Sequence, residues 1–366
     1  MKVARWMGAL VLPALWAATA AVAQDLPAKA VQVPQSQSFD NPPNWGYDPV
    51  RKRLLLGIEA QGLFASQDGG ESWTRIDDGS YHASTSIFPA KDRLVVNPHS
   101  GDLYSLPRSQ GFTPLLYRSH DGGGRWTGLL PDTRSGAKGG DQPVAGEAVS
   151  PEVHRLLFVP GKSGAAYLYT SFPYMHEEGA TLLGDRLWFS PDGVQSFRRL
   201  SPAGRYTHLE PFVTAKRLCL TGFVDSKPPH KLLCRDHTGG GWRDVAFAPV
   251  KDRGLIVSVW SDKDGAFLVL AGDALYVSTD DLKSFRRFAV PAGDKRLFLD
   301  PLDVYPAFLS VQEGEDRYVV YRLGQDHAVT KLGTLPAPLQ QVDFSRSLGI
   351  ASKPGGKRPV FRAELR

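Results

Sequence analysis

Past residue 40 the chain reads as short apolar runs cut apart by Gly, Pro, Asn and Asp. Residues 254–290 show the pattern most cleanly: GLIVSVWS, the turn DKDG, AFLVLAG, then ALYVST, an Asp-containing turn and SFRRFAV. Runs of β-branched and aromatic residues bounded by turn formers predict strands, here four to a unit. No run after residue 23 keeps a helical period, so the expected class is all-β.

The turn before the fourth run recurs. FASQDGGESW (64–73), YRSHDGGGRW (117–126), WFSPDGVQSF (188–197) and YVSTDDLKSF (276–285) place Asp68, Asp121, Asp192 and Asp280 at matching points. The last interval is 88 residues, twice 44, and halfway along it lies LLCRDHTGGGW with Asp236, read as a degenerate copy. A further 44 residues reach the region of YRLGQDHAVTKL, around Gln325-Asp326. A repeat of about 44 residues fits one four-stranded propeller blade. The expected architecture is a single β-propeller over 44–366. Its seven blades centre on 44–76, 91–130, 154–200, 206–247, 253–290, 296–334 and 340–366. The seventh lacks an outer strand, which KAVQVPQ (29–35), inside the N-terminal segment 24–43, is expected to supply; six blades is the alternative.

Residues 1–23 stand apart. Lys2 and Arg5 precede an apolar run from Trp6 to Ala20, and Ala21-Val22-Ala23 fits a small-x-small cleavage pattern. This reads as a secretory signal peptide, too short for a membrane span, and predicts export to the periplasm or beyond. Its loss leaves 41 Lys and Arg against 38 Asp and Glu, a net +3 that gives no concentrated basic face for nucleic acid. No later stretch has the length and apolarity of a transmembrane segment. In an exported chain, Cys219 and Cys234 are expected to form a disulfide across a hairpin with its tip near Ser226-Lys227.

The repeated turn resembles the Asp-box, or BNR repeat, S-x-D-G-G-x-[ST]-[WF]. Ser66, Asp68, Gly69, Gly70, Ser72 and Trp73 match it fully; elsewhere Arg125 replaces the second hydroxyl, and Val194 and Leu282 the second glycine. YDPVRKRLLLGIEAQGLFASQDGGESW is also similar to the repeats of sortilin-type and photosystem II assembly-factor propellers, where a DP turn precedes an inner strand. LVVNPHSGDLYSLP and LFLDPLDVYPAFLSV echo that turn. The resemblance implies a propeller fold and is poorly specific for function. Sialidases share the repeat, but the F/Y-R-I-P motif that carries their early Arg is missing: WTRI (73–76) follows the box and lacks the Pro. No catalytic residue is carried over.

An Asp repeated in several blades cannot serve one active site each time, so its expected role is to accept backbone N–H groups in its own turn. One carboxylate per turn makes a poor metal cage, and no metal or cofactor is expected. A site is better sought on the other face, where loop lengths are unequal: 77–90, 131–153 and 172–185 are long, and they follow or interrupt blades 1–3. The ligand-binding candidates there are Asp77, Asp78, Tyr81, His82, Arg134, Lys138, Asp141, Glu147, Tyr174, His176, Glu177, Glu178 and Asp185. The expected function is non-catalytic binding of a protein partner or a glycan. The alternative is a sialidase-like or other glycoside hydrolase with a carboxylate or Tyr site among these loops. Oligomeric state is not readable from the sequence.

Overall fold

In a computed structural model the described residues are 24–34, 43–58, 60–81, 93–106, 116–129, 152–159, 161–171, 186–200, 206–214, 216–224, 227–245, 256–261, 267–271, 274–280, 283–291, 293–298, 307–353 and 359–366. Every regular element among them is a strand, and the strands form seven antiparallel four-stranded sheets. The first strand, β1 (Ala28–Val31), belongs to the last sheet. Blade 1 holds β2 (Asn44–Asp48), β3 (Arg53–Ile58), β4 (Gly62–Ser66) and β5 (Thr74–Arg75). Blade 2 holds β6 (Leu94–Val96), β7 (Leu103–Ser105), β8 (Leu116–Ser119) and β9 (Thr127–Leu129). Blade 3 follows with β10 (Glu152–Phe158), β11 (Ala166–Ser171), β12 (Arg186–Ser190) and β13 (Arg198–Arg199). In blade 4 come β14 (Tyr206–Val213), β15 (Arg217–Val224), β16 (Lys227–Asp236) and β17 (Arg243–Val245). Blade 5 has β18 (Ile256–Ser261), β19 (Phe267–Ala271), β20 (Ala274–Ser278) and β21 (Arg286–Ala289). Blade 6 has β22 (Lys295–Phe298), β23 (Ala307–Gly314), β24 (Arg317–Leu323) and β25 (Val329–Leu335). Blade 7 has β26 (Leu339–Asp343), β27 (Leu348–Ser352) and β28 (Val360–Glu364), with β1 as its outermost strand. The chain is a seven-bladed β-propeller, and the seven-bladed expectation holds over its six-bladed alternative.

The ring closes by exchange between the chain's two ends. Strand β1 pairs antiparallel with β28, Ala28 opposite Ala363 and Val31 opposite Val360. The residues just before it reach blade 6 as well. Leu26 N donates to Thr334 O at 3.0 Å, and Thr334 Oγ1 donates to Asp25 Oδ1 at 2.5 Å. Leu26 is buried with Phe308, Leu335, Leu339 and Leu365, so one short segment ties blade 6 to blade 7. Closure removes edges that would otherwise template association.

The core lies between blades. Both faces of each sheet pack on a neighbour, so the middle strands are apolar almost without alternation: Leu54, Leu55, Leu56 and Ile58 in β3 are all buried. Each seam has its own cluster, such as Leu55, Leu63, Leu94, Leu103 and Trp126 between blades 1 and 2. In blade 4, Cys219 and Cys234 face each other in register and form a disulfide. The described part of that hairpin turns between Val224 and Lys227.

Candidate functional site

The repeated aspartates are built into their turns. The last residue of the third strand is Ser in blades 1, 2, 3 and 5, and its hydroxyl donates to the Asp two residues on. Asp68 Oδ1 also accepts Glu71 N and Ser72 N at 3.0 Å each, and Oδ2 accepts Ser72 Oγ at 2.5 Å. Asp192 repeats the set with Gln195 N, Ser196 N and Ser196 Oγ. Asp121 takes Gly124 N and Arg125 N, because Arg125 supplies no hydroxyl. The turn needs a positive φ at its second glycine, 95° at Gly70. A Cβ there would stand 2.6 Å from Ile350 Cδ1 of blade 7, so the residue is also small because the neighbouring blade lies against it. Val194 takes this position in blade 3 at φ 71°, a costly conformation for a β-branched residue. Its side chain is buried beside Tyr104, Leu106 and Trp188, which offsets part of that cost.

These bonds set the acid response. Burial opposes ionisation of Asp68, but Ser72, Ser66 and Glu71 outweigh it and hold the carboxyl at about 2, below the ordinary 3.8. Asp192 is held at about 2 in the same way, and Asp280, in an exposed turn, at about 2 chiefly by Ser284. A folded-state value below the unfolded one means that the stabilisation is complete above about pH 4 and is lost as pH falls toward about 2. Urea midpoints measured at intervals from pH 5 downwards are expected to drop most steeply in that window. A variant carrying Asp68→Asn and Asp192→Asn should be less stable at pH 5 and lose less on acidification. An unchanged acid profile in the variant would show that these turns do not drive it.

A second set of short polar side chains caps the turn after the innermost strand. Asp48 is fully buried and accepts Arg51 N and Arg53 Nε; Asn97 accepts His99 N, and Thr214 accepts Arg217 N. Arginines then cross the seams. Arg53 Nη2 donates to Gly122 O at 2.5 Å, and Arg118 Nη1 to Gly193 O at 2.9 Å. The Asp turn of one blade is thereby held by an arginine of the blade before it. Charged donors on carbonyls are worth about 1.5–3 kcal/mol each. Arg93 to Val153 O, Arg155 to Pro211 O and Arg296 to Gln340 Oε1 each tie a blade to the innermost strand of the next.

Blade 4 corrects one expectation. Leu218 faces Arg235 as Leu54 faces Ser66, and Trp242 lies five residues after His237 as Trp73 lies five after Asp68. The turn position belongs to His237, one residue beyond Asp236. Asp236 instead holds Arg217 and Arg243 in ion pairs at 3.3 and 3.0 Å. His237 is an acceptor at Nδ1 for Tyr167 Oη and a donor from Nε2 to Thr214 O, both at 2.8 Å, bridging blades 3 and 4. Burial lowers its pKa and keeps it neutral.

Three of the candidate binding residues, Asp77, Asp78 and Tyr81, fall in the described chain. Asp77 accepts Leu63 N, Gly79 N and Arg75 Nε at 2.9–3.0 Å, and its side chain is buried. Burial works against its charge, yet these donors hold its pKa low. Asp78 accepts Ser80 N, donates its own amide to Gly124 O and faces Arg125 at 3.6 Å. The link therefore runs along the Asp turn of blade 2. Tyr81 is buried, its ring 5.1 Å from that of Trp126 and its hydroxyl against Gly57. A link crossing from an outer to an inner strand must lie on the next blade, which buries Tyr81, while the Asp78 side chain stays exposed. His82, Arg134, Lys138, Asp141, Glu147, Tyr174, His176, Glu177, Glu178 and Asp185 lie outside the described residues. Among the described residues no cluster of His, Cys, Asp and Glu has the makings of a metal site, and no helix is long and apolar enough to cross a membrane.

Neither a protein-family model nor a curated protein sequence matches the chain. Solved structures do. YCF48 bound to D1 peptide is similar with a TM-score of 0.54 and 12% identity, over 94% of this chain and 100% of that one. An ancestral GH74 enzyme is similar with a TM-score of 0.52 and 11% identity, over 94% of this chain and 55% of that one. Prolyl oligopeptidase B from Galerina marginata gives 0.56 and 12%, over 91% and 45%. The chain thus spans about half the length of these two enzymes. At such identities the likeness is one of fold, the β-propeller.

Proposed function

We propose that the protein is an exported, non-catalytic Asp-box propeller that holds a protein partner or a glycan on the loop face over blades 1–3. The inequality of the loops carries this reading. Residues 82–92, 130–151 and 172–185 separate described strands in blades 1–3, whereas only 272–273 separate β19 from β20 in blade 5. Long insertions on one arc of a ring are a common way for a rigid scaffold to present a binding surface. The engagement of Asp68, Asp121 and Asp192 by their own turns supports structural work for the repeated carboxylates. YCF48, whose chain is fully covered by this one, is described as bound to a peptide, which accords with a partner of that kind. The GH74 enzyme keeps a glycoside hydrolase as the second reading.

Peptide and glycan arrays probed with the purified mature protein, beside a panel of chromogenic glycosides, separate the two. Binding without turnover is expected. Turnover that survives further purification and is abolished by a loop-carboxylate substitution such as Glu177→Gln would replace the first reading by the second.

A further inference from the structure

The residue immediately after the aromatic of the Asp turn opens the outermost strand. It is Thr74 in blade 1 and Thr127 in blade 2, but Arg198, Arg243 and Arg286 in blades 3, 4 and 5. The register confirms the equivalence: Thr74 pairs with Ala65, Thr127 with Arg118, Arg198 with Phe189, Arg243 with Cys234 and Arg286 with Val277. Threonine thus satisfies the fold here, and arginine replaces it on three consecutive blades. The next position adds Arg199, Asp244 and Arg287 on the same arc. Arginine thus stands five times and aspartate once at these two positions, and Asp236 beside Arg243 offsets one of the positive charges.

Guarding exposed sheet edges needs a charge but not this concentration: blades 1 and 2 have Thr74-Arg75 and Thr127-Gly128 at the same place. Arg198, Arg243, Arg286 and Arg287 are exposed on the rim. Some of their donors are engaged. Arg243 Nη2 grips Asp236 Oδ2 at 3.0 Å, Arg286 Nη2 reaches His327 O at 3.1 Å, and Arg198 lies over the Phe189 ring at 5.0 Å. The guanidinium fork matches a carboxylate in two parallel bonds, which an ammonium cannot reproduce. We infer that the outer rim of blades 3–5 is a binding surface for a linear polycarboxylate, an acidic polysaccharide. The rim is convex, so a flexible chain can follow it where a flat bilayer would touch one blade. The nearest rings, Phe189 and Phe288, are partly buried and lie under Arg198 and Arg286, so they offer no open face for stacking bases. The outermost strands β13, β17 and β21, of two, three and four residues, are short templates for an acidic peptide added as a strand.

The test uses alginate as the probe on the full mature protein at about 50 mM salt, where screening is weak. One variant carries Arg198→Thr, Arg243→Thr and Arg286→Thr; a second carries Lys at the same three places. Wild type should bind, the Thr variant should lose at least about tenfold in affinity with its melting temperature kept, and the Lys variant should fall between them. Failure of wild type to bind alginate, or Thr or Lys variants that bind as wild type does, would overturn the inference. Equal affinity for duplex DNA or for phosphatidylglycerol vesicles would overturn it too, since the rim would then be a general polyanion surface. The loops over blades 1–3 are untouched in both variants, so the result is independent of the face proposed above.

Discussion

A protein lacking residues 24–34 is expected to lose its cooperative native state. Strand β1 is the outermost strand of blade 7, and its removal exposes the edge of β28 along Val360 and Phe361. Leu26 leaves a core of Phe308, Leu335, Leu339 and Leu365, worth about 1.5–3 kcal/mol of burial. The bonds to Thr334 from Gln24, Asp25 and Leu26 go with it, at about 1 kcal/mol each. The total, roughly 5 kcal/mol, is comparable to the whole stability of many proteins. The milder Leu26→Ala should cost about 2–5 kcal/mol in urea denaturation. The geometry also offers a rescue. Ala28 lies opposite Ala363 and Glu364 N donates to Pro27 O, so Arg366 ends close to Gln24. Moving residues 24–34 behind Arg366 through a short Gly-rich turn should restore folding, because β28 and β1 then form an ordinary hairpin. A truncated protein with the wild-type urea midpoint would refute closure by this strand.

Replacing Cys219 and Cys234 together by Ala should cost about 3 kcal/mol, the chain-entropy value for the loop of 15 residues that the disulfide closes. Both side chains are buried, so the disulfide should resist dithiothreitol under native conditions and yield to it in urea. The measurement is a urea curve for wild type with and without reductant, beside the double variant. Coincident curves for the oxidised wild type and the variant would show that the bond adds nothing to this hairpin.

The repeat was legible because its signals are local. The Ser, Asp, Gly and aromatic of the turn are hydrogen-bonded to one another within eight residues, as at Ser66 to Trp73, so the sequence carries the whole motif. The missing outer strand of the last blade followed from counting runs. The register of blade 4 was not legible. There the turn has lost both its Ser and its Asp, and only strand pairing shows that His237, not Asp236, takes the place. Tyr81 was misread for a related reason: a tyrosine in a long polar link looks exposed until the neighbouring blade, with Trp126, lies over it. Stitches such as Arg53 to Gly122 span 69 residues and leave no local trace.

The claim that binding belongs to the loop face is tested most directly by hydrogen–deuterium exchange, with and without the tightest ligand selected on the arrays. Protection is expected within 82–92, 130–151 and 172–185, with unchanged exchange in the Asp turns 66–73, 119–126 and 190–197. Protection confined to those turns, with the three loops unaffected, would contradict the account and move the binding surface to the opposite face.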